Sequence, residues 1–126
     1  MIYSLEELKN RIAPVAEKYH LRAVYLFGSY ARNEATDDSD VDVLIDRTDS
    51  IVKSAFDMGG LYNDLCESIE KEVDLVTTYA LTQDSTQDRT PWFTENVMRD
   101  RVLIFEQLIL SILLYTFFSN ISCKFK

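Results

Sequence analysis

The sequence predicts an α/β (α+β) layer structure, and three observations carry that expectation. An amphipathic pattern opens the chain, two compact runs of strand-forming residues follow at 23–27 and 41–46, and a third run, centred on Val73 to Val76, comes after a second helical pattern. Short strands alternating with helical segments bury their apolar faces by stacking helices on a sheet. At 126 residues the chain is long enough for one such domain and its core.

The first helix carries a start signal. Ser4 followed by Glu7 matches a capping box, with serine at the N-cap and glutamate at N3. Leu5, Leu8, Ile12, Val15 and Tyr19 then recur at spacings of three and four as one apolar stripe, interrupted by Pro14, where a kink is expected. Ala23 to Phe27 is rich in strand formers and ends at a glycine, and Val41 to Asp46, "VDVLID", is the second strand. Residues 51 to 70 read as a helix with Ile51, Ala55, Met58, Tyr62, Leu65 and Ile69 on one face and Gly59-Gly60 as a candidate break. After the third strand, "TQDSTQDRT" reads as a loop and "PWFTENVMRDRVLIFEQ" as a helix with Pro91 in its first turn.

The chain then divides into a domain over residues 1–106 and an apolar C-terminal helix or tail over 107–126. The nearly continuous apolar run from Leu108 to Phe118 is shorter than the roughly 20 residues a membrane-spanning helix needs. A helix apolar all round packs on the domain core or on a partner. The tail is therefore read as an interface, a route to a homo-oligomer included, in preference to a membrane anchor.

A formal net charge of −8 argues against direct nucleic-acid binding, whose affinity comes mainly from Lys and Arg neutralising phosphates. An acidic chain can still hold nucleotides where metal ions supply the positive charge. Cys66 and Cys123 show neither metal-ligand spacing nor a disulfide framework, and read as reduced thiols of a cytoplasmic protein. The opening "MIYSLEELKN" lacks the basic stretch and apolar core of a signal peptide.

The chemistry points to the carboxylates of "SDVDVLID". Strand side chains alternate faces, so Asp40 and Asp42 project side by side from one end of the second strand. Two carboxylates held that close repel each other unless a cation lies between them, and burying either one uncompensated is costly. Hard oxygen ligands suit Mg²⁺ or Mn²⁺, which also bind substrate phosphates. Asp74, in "EVDLV", is a third acid inside an apolar strand. With that strand beside the second, three carboxylates can hold two metal ions for an in-line displacement at phosphorus. Gly28 and Ser29 add a turn at which the backbone can approach a triphosphate, amides that attract anions, and a hydroxyl donor. A lone Gly-Ser signals nothing; Gly-Ser, ten residues, Asp-x-Asp and a later strand aspartate form a specific pattern.

"GSYARNEATDDSDVDVLID" closely resembles the Gly-Ser-x-Ala-Arg-Gly…Ser-Asp-x-Asp-Leu signature of the minimal nucleotidyltransferases, in the DNA polymerase β superfamily. The resemblance runs from Leu5 to about Glu106 and implies a nucleotidyltransferase fold, a short mixed sheet flanked by helices. It further implies an antitoxin whose partner is a HEPN-domain ribonuclease toxin, silenced by transfer of AMP from ATP onto a toxin tyrosine. Carried onto this chain, the resemblance makes Gly28 and Ser29 the holders of the triphosphate and Asp40 and Asp42 metal ligands. Asp74 becomes the third acid, binding metal and drawing the proton from the attacking hydroxyl. Two Mg²⁺ ions and ATP are thus the implied cofactor and substrate. Asn33 stands where the signature has glycine, and asparagine tolerates positive φ.

The remaining polar residues divide more simply. Arg32 either touches phosphate or pairs with a nearby acid. Asp37 and Asp38 read as a solvated loop, and His20, the only histidine, as a helix C-terminal cap in preference to a base. Tyr79 and Trp92 could stack on adenine, but aromatics at such positions are more often core. Two rival functions stand beside AMP transfer to a toxin: an antitoxin that neutralises by binding alone, and nucleotidyl transfer to a small molecule such as an aminoglycoside.

Overall fold

The computed structural model describes residues 2–82 and 91–107. Among these, five helices and four strands alternate: α1 (Leu5–Lys18), β1 (Ala23–Phe27), α2 (Gly28–Ala31), β2 (Val41–Asp46), α3 (Ala55–Ile69), β3 (Val73–Thr77), α4 (Thr78–Thr82), α5 (Pro91–Asp100) and β4 (Val102–Glu106). The strands form one mixed sheet in the order β3-β2-β1-β4. β1 pairs antiparallel with both β2 and β4, and β2 pairs parallel with β3. The expected α/β layering and all three predicted strands are therefore present. Residues 83–90 and 108–126 lie outside the described residues, and with them most of the loop read at 82–90, the apolar tail and Cys123.

The capping box at the head of α1 forms as the sequence predicts. Glu7 N–H donates to Ser4 Oγ at 3.1 Å and Ser4 N–H donates to Glu7 Oε2 at 3.0 Å. Two orphan amides are satisfied reciprocally. Ser4→Ala is expected to lower stability by about 1 kcal/mol, read as a drop in the thermal midpoint of the whole chain. Pro14 sits inside α1 without ending it. His20 takes a left-handed conformation (φ 54°) just beyond Tyr19, the helix C-cap, and its amide donates to Glu17 O.

α3 begins later than the periodicity predicts. A second capping box, Ser54 with Asp57, starts the helix at Ala55. Ile51, expected on the apolar face, instead lies before the helix and is 55% exposed, while Val52 is buried. The Gly59-Gly60 pair does not break α3; its helix continues to Ile69.

The larger departure is β4. The pattern read as one helix over 91–107 ends at Asp100, and Val102–Glu106 becomes an edge strand on β1 with an irregularity between Val24 and Tyr25. A short apolar run fits either period, and here the open edge of β1 decides.

The two sheet faces bury different partners. Val24, Leu26, Val41, Val43, Ile45, Val73 and Ile104 pack against Leu8 and Ile12 of α1 and Leu61, Leu65 and Ile69 of α3. On the opposite face Phe27, Leu44 and Val76 meet Leu81 of α4 and Val97 of α5. Alternation along β2 thus sends its odd-numbered residues into the main core, and Asp42, Leu44 and Asp46 to the second face. No helix among the described residues is long and apolar enough to cross a membrane.

Candidate active site

Register places the acids. Phe27 opposes Asp42 across the β1–β2 pair, and Asp42 is in line with Asp74 across the β2–β3 pair. Residues in line on neighbouring strands project from the same face, so Phe27, Asp42 and Asp74 form a row across the second face. Both acids stand in apolar strands as the sequence predicts, but neither is fully buried: Asp42 is half-buried and Asp74 exposed. α4 and α5 cover only part of that face: Phe27 is buried against them, while Asp42 is half-covered and Asp74 left exposed. Asp40 is exposed, immediately before the first residue of β2.

The chain leaves β1 straight into the turn. Gly28 has φ +69°, a conformation that L side chains rarely adopt, and a Cβ there would overlap the Asp42 carboxylate, standing 2.9 Å from its Cγ. Glycine is thus required twice, by the backbone and by the close approach of the acid. α2 follows as one short helical stretch, with Ser29 in its first turn and Arg32 at its end. Asn33 adopts φ 59°, which keeps the turn where the family signature has glycine.

These residues surround a cavity of about 310 Å³. Gly28, Arg32, Asp42 and Asp74 line it, facing Trp92, Phe93, Asn96 and Asp100 of α5. Ser29 and Asp40 are not among its lining residues; Ser29 follows Gly28 directly, and Asp40 lies two residues before Asp42. The Arg32 guanidinium donates to Glu34 at 3.1 Å and to Asp100 at 3.5 Å, which holds it at the cavity rim. The α5 wall carried no sequence motif. Its signal was spacing: Phe93, Asn96, Val97 and Asp100 fall at i, i+3, i+4 and i+7. Phe93 meets Phe27 edge-on, with centroids 6.3 Å apart, which ties α5 to the strand that leads into Gly28.

The neighbouring acids perturb Asp42. Asp42 is pushed up to about 6, first by burial and then by the negative charges of Asp74 and Asp40, against the opposing pull of Arg32. A carboxylate strained in this way is a ready ligand, because a cation relieves the same repulsion. Among the described residues no three acidic, histidine or cysteine side chains already stand close enough to enclose a metal. Mg²⁺ does not demand that, since it commonly binds through one or two carboxylates together with water and substrate phosphate. The oxygen donors of Asp42 and Asp74, with Asp40 beside them, fit such an ion.

Known proteins share this arrangement of elements. Residues 10–108 match the family model of the polymerase beta nucleotidyltransferases. The chain is 38% identical over 74 residues to a Methanocaldococcus jannaschii protein assigned as a protein adenylyltransferase, covering 59% of this chain and 77% of that protein. In fold it matches a chain of a toxin–antitoxin crystal structure with AMP-PNP, at a TM-score of 0.59 and 19% identity, over 92% of this chain and 90% of that one. It also matches a chain of the tri-AMPylated Shewanella oneidensis HEPN toxin in complex with MNT antitoxin, at a TM-score of 0.55 and 16% identity, over 95% and 91% respectively. The family match spans the sheet, the Gly28 turn and all three acids, and by it this chain belongs to the polymerase beta nucleotidyltransferase family.

Proposed function

We propose that this chain is an antitoxin that transfers AMP from ATP to a tyrosine of a HEPN-domain ribonuclease toxin. The observation that carries the reading is the in-line pair Asp42 and Asp74 beside Gly28, where only a glycine leaves room for the Asp42 carboxylate. The family membership, the adenylyltransferase relative and the toxin–antitoxin structures of like fold support it.

In this reading the triphosphate lies against the Gly28-Ser29 turn, and Arg32, released from Asp100 and Glu34, turns its guanidinium towards phosphate oxygen. Asp74 accepts the proton of the attacking tyrosine hydroxyl. The hydroxyl oxygen forms a bond to the α-phosphorus, the bond from that phosphorus to the bridging oxygen breaks, and pyrophosphate leaves. Asp40, Asp42 and Asp74 are the residues to hold two Mg²⁺ ions, which when bound supply positive charge to the phosphates. The rest of catalysis is positioning, for which strands make rigid mounts.

Mass spectrometry of the toxin after incubation with this chain, ATP and Mg²⁺ tests the proposal. One or more AMP additions on a toxin tyrosine are expected. A stable complex of unchanged mass would instead establish neutralisation by binding alone, and AMP found only on small hydroxyl compounds would reassign the acceptor.

A further inference from the structure

We propose that the α5 wall of the cavity is the nucleobase subsite, with Trp92 as the stacking surface and Asn96 as the group that selects adenine; this rests on the nucleotidyl-transfer reading above. The cavity has two chemically different sides. Asp42, Asp74, Gly28 and Arg32 form a charged side suited to phosphates and cations, while Trp92, Phe93 and Val97 give the α5 side an apolar aromatic character. A nucleotide has the same division, a charged tail and a flat base with an apolar face.

The α5 side is built to stay in place. Val97 is buried, and Phe93 stands edge-on to Phe27. These two anchor the helix and leave its next side chains to the cavity. Trp92 and Asn96 are four residues apart, one turn along the same face. Trp92 is 61% exposed, a large ring held at the cavity wall with much of its surface in water. Stacking a base on it removes apolar area from both. Asn96 is half-buried, and among the described residues no hydrogen bond engages its side-chain amide. An amide offers one acceptor and two donors, and pairs with adenine by accepting from the N6 amine and donating to an adjacent ring nitrogen. The volume of about 310 Å³ lies near the lower end of small-molecule sites, which span roughly 300–1,000 Å³.

Trp92 is the only tryptophan of the chain, so its fluorescence reports this wall alone. Titrating the full chain with ATP and Mg²⁺ is expected to quench that fluorescence saturably, with the same midpoint that calorimetry gives for binding. Trp92→Ala should raise KM for ATP about ten-fold, a far larger change than in kcat, as loss of one base–aromatic stack predicts. Asn96→Asp replaces the donor by an acceptor, which suits the N1–H and amine of guanine. It should move the ratio of kcat/KM for ATP over GTP about ten-fold towards GTP. A merely structural role for Asn96 would lower both values together. If calorimetry detects ATP binding while Trp92 fluorescence is unmoved and Asn96→Asp keeps the wild-type ATP/GTP ratio, the base lies elsewhere and the nucleotidyl-transfer reading still stands. If the wild-type chain takes up no nucleotide with Mg²⁺, both readings are overturned.

Discussion

Asp42→Asn will abolish AMP transfer and at the same time raise the melting temperature of the metal-free protein. Both effects come from one feature, a half-buried carboxylate in line with Asp74 and close to Asp40. On the mechanism proposed above, removing its charge removes a ligand for the cations that would neutralise the phosphates, and a loss of activity on the order of a thousand-fold is expected. The stability gain follows from proton linkage. In the fold Asp42 is pushed up to about 6, above its ordinary value of 3.8, so between those pH values the native state binds more protons than the unfolded chain. Stability from this group therefore falls as pH rises through that window, and the penalty is fully developed above pH 6. Half-exposure tempers it to about 1 kcal/mol, a few degrees in melting temperature. Asparagine has no proton to lose there. Thermal melts at pH 4 and pH 7.5 should show the variant gaining on the wild type only at the higher pH, alongside lost transfer of label from α-labelled ATP. A variant that retains transfer, or that melts lower at pH 7.5, contradicts the assignment. Mg²⁺ with ATP should remove the difference by raising the melting temperature of the wild type alone.

Gly28→Ala is expected to be nearly as damaging, for a steric reason. The positive φ alone costs about 1–2 kcal/mol for an L side chain. The added methyl also overlaps the Asp42 carboxylate, so either that carboxylate or the head of α2 must move. A displacement of about 1 Å at a reacting centre can cost on the order of a hundred-fold in rate. Transfer should fall by at least that much while circular dichroism still reports the fold, with a melting temperature several degrees lower. Wild-type transfer with an unchanged melting temperature would show that the Gly28–Asp42 approach is not needed.

Local signals made most of this fold legible in the sequence. The capping box at Ser4 and the strands at 23–27 and 41–46 are set by neighbours a few residues away, and so appear in the linear pattern. The Gly-Ser and Asp-x-Asp pair was equally visible, because turn, strand and acid lie within one short segment. What the linear pattern did not reveal depends on contacts between distant segments. Val102–Glu106 is a strand because β1 offers it an open edge, a fact absent from its own periodicity. Asp42 and Asp74 looked buried because their neighbours are apolar on both sides, yet their face is only partly covered by α4 and α5. Trp92 was legible as a candidate adenine stacker but was ranked as core, whereas it is 61% exposed at the cavity wall, and Asn96 and Asp100 acquire meaning only once the helix lies across from Asp42.

The central claim is that Asp42 and Asp74, with Asp40 beside them, collect divalent cations that grip the phosphates of ATP. Anomalous diffraction from crystals grown with Mn²⁺ and a non-hydrolysable ATP analogue tests it most directly. Manganese peaks within ligand distance of Asp42 and of the nucleotide phosphates, with Asp40 or Asp74 completing the site, are the result this account predicts. A nucleotide bound with no manganese near Asp42, or manganese held away from these three side chains, would contradict it.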